Sequence, residues 1–209
     1  MTCLTDMTCG EFLAELGSKN PTPGGGGASA LVGATAAALM TMLAYLTVGK
    51  KKDPELETEL TEIIVRSEKL RLELTDLADA DVKVFKAFME FYKLPKTTEA
   101  EAQKRKLYLA DAALRAADVP FRIGEKSLEV ARLAVRVVEF GNPNAISDGV
   151  VAAIMARSAL RSAFCNVRIN LKLINDVEYV EHTQACMLKM EAEAQQLEEQ
   201  ANALGAKYL

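Results

Sequence analysis

Tryptophan is absent from this 209-residue chain, and histidine occurs once, at His182. A single histidine leaves no cluster with metal-ligand spacing, which disfavours both a zinc hydrolase and a Ser-His-Asp hydrolase. Any acid–base chemistry therefore falls to Asp, Glu, Lys or Tyr. Cysteine is sparse, at Cys3, Cys9, Cys165 and Cys186, with no C-x-x-C pair. Half of the residues are apolar, so a core can form without disulfides and the cysteines read as reduced thiols. The net charge of −4 provides no global basic field for nucleic acid. The first ten residues lack the basic-plus-apolar pattern of a secretory signal, and a cytoplasmic location is the expectation. Strand-like alternation is missing over any useful length, while helical spacing appears almost everywhere.

One long stretch, from Asn20 to Gly49, carries no charge at all. It is long enough to span a bilayer, but it opens on prolines and glycines and continues mostly in Ala, Gly, Ser and Thr. Such residues insert weakly and allow close helix approach, so the reading is a buried central helix over about Ala28–Val48. A short helix over about Thr8–Gly17 precedes it, with Phe12, Leu13 and Leu16 inward. Asp53-Pro54 starts a long helix reaching about Tyr92. Thr98 to Glu101 reads as a capping box for a helix to about Asp118. Pro120 marks a kink or a new helix to Phe140, and Ser147 caps a helix from Asp148 to about Asn170. A last amphipathic helix occupies about Asp176–Leu204. The prediction is an all-α, single-domain bundle of long helices around a small-residue central helix, spanning residues 1–209.

Within the long helix, steps of three and four from Leu56 trace an apolar stripe through Leu60, Ile63, Leu70, Leu74, Leu77, Val84, Phe88 and Phe91. Only Ser67 and Asp81 on it are polar. A carboxylate among Leu77, Val84 and Phe88 is desolvated, which raises its pKa toward the range useful for proton transfer. The same placement suits a structural ion pair. Asp76 and Asp79 lie on other faces and read as solvated.

Gly24, Gly25, Gly26 and Gly27 ahead of a helix leave backbone N–H groups unobstructed at its positive end, which suits an anion or a flat ligand as well as a packing turn. No Gly-Lys-Ser/Thr follows and no strand precedes, so the run is neither a P-loop nor a dinucleotide fingerprint. Asn166 and Asn170 share a helix face, where asparagine bonds either a neighbouring helix or a ligand. Asp148 in a first turn complements the helix dipole. His182 reads as exposed.

These pieces, in this order, resemble the formiminotetrahydrofolate cyclodeaminase and methenyltetrahydrofolate cyclohydrolase family. The resemblance is carried by Pro21-Thr22-Pro23-Gly24-Gly25-Gly26-Gly27, by Asp79-Ala80-Asp81-Val82-Lys83-Val84-Phe85 with Leu94-Pro95-Lys96-Thr97, and by Gly141-Asn142, Ser147-Asp148, Val151-Ala152-Ala153 and Asn166-Val167-Arg168-Ile169-Asn170. Four glycines followed by Ala28 depart from the family's more usual three glycines and a serine. The resemblance implies an all-helical homodimer acting on a tetrahydrofolate derivative, without prosthetic group, metal, nucleic acid or membrane. It makes Asp81 the proton donor and acceptor. Thr22, Gly24 to Gly27, Asp148, Asn166 and Asn170 then contact the substrate, with Lys50, Lys51 and Lys52 meeting its glutamate tail unless that turn is merely solvated. With no room for a transferase domain, the cyclohydrolase is favoured over the cyclodeaminase. A non-catalytic helical interaction protein is the reading of another class.

Overall fold

The computed structural model describes residues 3–50 and 52–209; Lys51 of the basic turn lies outside the described residues. Six α-helices follow one another: α1 (Cys9–Leu16), α2 (Gly25–Tyr45), α3 (Pro54–Tyr92), α4 (Glu99–Phe140), α5 (Ile146–Leu171) and α6 (Val177–Gly205). Short 3-10 turns at Leu4–Asp6 and Pro143–Ala145 complete the regular structure, and no strand occurs among the described residues. The fold is all-α, as the spacing predicts.

The charge-free run forms the buried centre of the bundle. α2 packs against α3, α4 and α5, and its buried face is built almost wholly from Gly, Ala, Ser and Thr, with Met40 and Leu43 added. Small residues let backbones approach. A Cβ on Gly33 would lie 2.9 Å from the Ser127 hydroxyl oxygen of α4 and 3.2 Å from Leu74 of α3. α2 and the Pro143–Leu171 stretch are both long and apolar enough to cross a membrane, yet 61% and 50% of their apolar windows are buried inside the bundle.

Leu60, Ile63, Ser67, Leu70, Leu74 and Leu77 of the α3 stripe are buried. Ser67 donates to the Ile63 carbonyl at 2.8 Å and pairs with the Thr41 hydroxyl of α2 at 2.9 Å, so this buried polar group is satisfied. Beyond Leu77 the stripe opens: Val84, Phe88 and Phe91 are only half-buried.

Four local expectations are corrected. Leu13 is 63% exposed, because α1 has no buried residue and is closed instead by a Thr8–Glu11 capping box. α2 starts at Gly25 rather than Ala28. α5 starts at Ile146, entered directly from a 3-10 turn whose Asn142 side chain accepts the Asn144 N–H, so Ser147 caps nothing. Pro120 neither ends nor divides its helix, and α4 runs unbroken through it.

The α4–α5 contact depends on Gly124, where a Cβ would lie 2.2 Å from Cε1 of the fully buried Phe164. Gly124→Ala is expected to destabilise the fold by about 1–3 kcal/mol through overpacking. Thermal melts should show a fall of roughly 2–4 °C per kcal/mol; an unchanged melting temperature would contradict this close approach.

Candidate functional site

The site is built where the first turn of α2 meets the middle of α3. Gly24 is the N-cap and adopts an extended conformation; the only positive-φ residue among those described is Gly49, far from here. Glycine is therefore required for space rather than for backbone shape. At Gly26 a Cβ would lie 2.1 Å from Oδ1 and 2.4 Å from Cγ of Asp81, whereas at Gly25 it would make ordinary contact with Asn166 at 3.5 Å. The Asp81 carboxylate occupies the room that a side chain at residue 26 would fill.

Asp81 is half-buried, and its Oδ2 accepts the Gly27 N–H at 3.1 Å. Burial raises its pKa above the ordinary aspartate value, while the Gly27 N–H partly opposes the rise by stabilising the charged form. No cation is paired with it, so the structural ion-pair reading of Asp81 finds no support among the described residues.

A cavity of about 380 Å³ opens beside this carboxylate. Its walls are Pro21, Thr22 and Gly24 to Gly26, then Asp81, Val84, Phe85 and Phe88 of α3, Ala116 of α4, and Asn166, Ile169, Asn170 and Leu173 at the end of α5. Such a size and a mostly apolar wall with a few convergent polar groups suit a small organic ligand. N–H groups in the first turn of a helix lack intrahelical acceptors and carry its positive end, so the glycine backbone offers donors here.

The two asparagines hold protein as well as lining the cavity. Asn166 Nδ2 donates to the Ser162 carbonyl at 3.1 Å, and Asn170 Nδ2 donates to the Ala116 carbonyl at 2.6 Å. Proline has no N–H, so Pro120 leaves the carbonyl four residues earlier, that of Ala116, without its helical donor. Asn170 supplies the missing bond from α5.

Lys50 and Asp148 are not brought to this cavity within the chain. α2 rises roughly 30 Å from Gly25 to Tyr45, and Asp148 stands about 27 Å along α5 from Asn166, at ~1.5 Å per residue. Both lie at the far end of the bundle, where Asn142 bonds Thr47 and the Leu46 carbonyl. Lys50 and Lys52 are exposed there and Asp148 is half-buried. Asp79 is not a solvated carboxylate: its Oδ1 accepts the Leu4 N–H at 2.6 Å and ties the N-terminal turn to α3, whereas Asp76 is exposed. His182 is exposed on α6, 3.6 Å from the Cys186 sulfur. Among the described residues no group of three or more His, Cys, Asp and Glu side chains could hold a metal ion. Sequence reasoning did not assign Val84, Phe85, Phe88, Ala116, Ile169 and Leu173 to the site. Val84, Phe85, Phe88 and Ile169 carried a signal, lying on the Asp81 stripe or inside a quoted motif, whereas Ala116 and Leu173 carried none.

Comparison with known proteins adds a second line of evidence. A family profile described as formiminotransferase-cyclodeaminase matches residues 8–189. The methenyltetrahydrofolate cyclohydrolase of Methylorubrum extorquens is 45% identical over 170 residues, covering 81% of this chain and 82% of that protein. The formimidoyltransferase-cyclodeaminase of Mus musculus is 32% identical over 86% of this chain, which spans only 33% of that longer protein. The crystal structure of formiminotetrahydrofolate cyclodeaminase from Thermotoga maritima superposes with a TM-score of 0.87 at 30% identity, covering 98% of each chain.

The folded-state pKa of Asp81 is raised, so folding binds a proton between the ordinary aspartate value and the raised one, and stability falls as pH climbs through that window. Asp81→Asn removes the penalty while keeping an acceptor for Gly27. The variant should melt above wild type at neutral pH, with the gain shrinking below the ordinary aspartate pKa; an equal gain at both pH values would count against a desolvated carboxylate. Separately, Asn170→Ala should cost about 1–3 kcal/mol by leaving the Ala116 carbonyl unpaired. In a Pro120→Ala background, where residue 120 regains its own N–H, the cost should be clearly smaller. A double-mutant cycle of unfolding free energies measures this, and strict additivity would refute the pairing.

Proposed function

The chain belongs to the formiminotransferase-cyclodeaminase family, and on that premise we propose that it is a methenyltetrahydrofolate cyclohydrolase in which Asp81 moves the proton. The observation that carries the reading is the Asp81 carboxylate itself, seated against the glycine start of α2 on the wall of a ligand-sized cavity, with its pKa raised by burial. The 45% identity to a protein named for that activity supports it.

The chemistry asks little more of the protein. Water adds to the methenyl carbon that bridges N5 and N10 of the folate, and the carboxylate of Asp81 takes the water's proton as the C–O bond forms. The tetrahedral carbon then expels N5, which receives the proton back from Asp81. The remaining hydroxyl proton leaves to solvent as the formyl C=O forms on N10. One group that both accepts and returns a proton suffices, and a carboxylate lifted toward neutrality does both better than an ordinary one. The free N–H groups at Gly24 to Gly26 and the Oδ1 atoms of Asn166 and Asn170 supply donors and acceptors for the pterin edge. Thr22 adds a hydroxyl at the same rim.

The neighbouring structure's name favours a second reading, formiminotetrahydrofolate cyclodeamination. There N10 attacks the formimino carbon, and ammonia departs with a proton that the same aspartate can deliver.

Incubating the purified protein with 5,10-methenyltetrahydrofolate and, separately, 5-formiminotetrahydrofolate decides between them. The cyclohydrolase makes the methenyl absorbance fall. The cyclodeaminase makes it rise and releases ammonia. Asp81→Asn should lower kcat/KM on the active substrate by roughly 10²–10⁴, the usual contribution of a positioned acid–base group. A folded variant with wild-type turnover would remove Asp81 from the mechanism.

A further inference from the structure

Of residues 3–22 only Leu4 is buried, at 7% exposure. α1 contributes no buried residue, so the N-terminal arm hangs on this one side chain. Cavities of about 240 and 650 Å³ flank it, and Leu4 and Met7 line both. The smaller one shares Thr22 with the cavity beside Asp81.

Leu4 is anchored where α2 meets α3. Its N–H donates at 2.6 Å to Oδ1 of Asp79, two residues before Asp81 on α3. Its Cδ1 lies 3.3 Å from where a Cβ on Gly27 would stand, closer than the Ala78 carbonyl at 3.7 Å and Pro23 at 3.9 Å. Gly27 in turn donates its N–H to Oδ2 of Asp81. A ring of contacts thus leaves α3 at Asp79, passes through Leu4 and Gly27, and returns to α3 at Asp81.

The glycine turn has little stiffness of its own. Apart from proline, glycine is the poorest helix former, and the N–H groups of a first turn bond to no carbonyl of their own helix. α2 opens on Gly25, Gly26 and Gly27 in succession, and position 26 has no room for a side chain beside Asp81. Support comes from outside the helix, and Leu4 presses on the turn from the side away from the carboxylate.

We propose that Leu4 is a positioning residue for the reaction: clamping Gly27 between the arm and α3, it holds the Gly27 N–H on Asp81 and the first turn of α2 against the substrate cavity. The inference rests on the folate reading above. Leu4 meets no substrate and acts through Gly27. Shortening it to alanine joins the two flanking cavities behind a run of glycines, which frees the turn and misplaces the carboxylate relative to its N–H donor. A shift of about 1 Å at a reacting group costs up to about 10²-fold in rate.

Steady-state rates on the folate that wild type converts, together with amide hydrogen exchange of the segment carrying Gly25 to Gly27, test the assignment. Leu4→Ala is expected to lower kcat roughly tenfold to a hundredfold while changing KM less than about threefold. Exchange in the glycine segment should quicken while the fully buried Ala36 and Ala37 of α2 keep their protection. Leu4→Met nearly conserves volume and should restore most of the rate. Asp79→Ala removes the acceptor of the Leu4 N–H but keeps the apolar contact, and should shift kcat the same way by less; it carries the test should Leu4→Ala fail to fold. Leu13→Ala, on the exposed side of α1, should behave as wild type. In an Asp81→Asn background Leu4→Ala should cost far less rate than in wild type, because the clamp acts through that carboxylate. A lowered melting temperature with wild-type kcat, or an equal rate loss in both backgrounds, overturns the proposal and leaves the folate reading standing. If wild type converts neither folate, both fall together.

Discussion

The architecture of the site depends on how closely the start of α2 presses against α3 at Asp81. The carboxylate fits because residue 26 has no side chain, and it stays partly desolvated because the rest of α2 is also narrow enough to sit deep between α3, α4 and α5. Two opposing effects meet there. The positive end of a helix and the Gly27 N–H favour the charged form, and burial disfavours it. With a single N–H directed at it, burial prevails and the pKa rises. Further backbone donors turned toward the same oxygens would reverse that balance and leave a strongly acidic group that gives a proton to nothing. The high alanine and glycine content of α2 is thus linked, through packing depth, to the proton affinity of one side chain.

What could be read in advance were features with a local cause. The α3 stripe follows from the 3.6-residue period, so Asp81 stood out as a polar residue on a buried face. The boundaries of α3 and the Thr98–Glu101 capping box follow from side chains within a few residues of one another. Features with a remote cause were hidden. Asp79 looked solvated because its partner, Leu4, lies at the other end of the sequence. Glycine at residues 25 to 27 argues against helix by propensity, yet at Gly26 the close approach of Asp81 from α3 makes it the residue that fits. Pro120 reads as a breaker until its orphaned carbonyl finds a donor on α5. Lys50 and Asp148 sit in quoted or basic segments, but order along the chain does not say which end of a bundle a helix terminus occupies.

The cavity also shows how a structural bond can set the chemical face that a residue offers. An asparagine amide has a donor end and an acceptor end, and the two look alike in shape. For Asn170 the assignment is forced, because the Ala116 carbonyl can only accept, so the nitrogen must point to α4 and the oxygen is left for other partners. The Ser162 carbonyl imposes the same orientation on Asn166. The α5 wall therefore presents acceptors, Asp81 presents an acceptor that binds a proton readily, and the N–H groups of the glycine turn present donors to the same cavity. A ligand that satisfies all of them carries donors along one edge and acceptors along another, on a body flat enough to lie against backbone. A pterin meets that description. Pro120, by leaving the Ala116 carbonyl to the Asn170 amide, thus ties α4 to α5 beside Ile169 and Leu173, which line the same cavity.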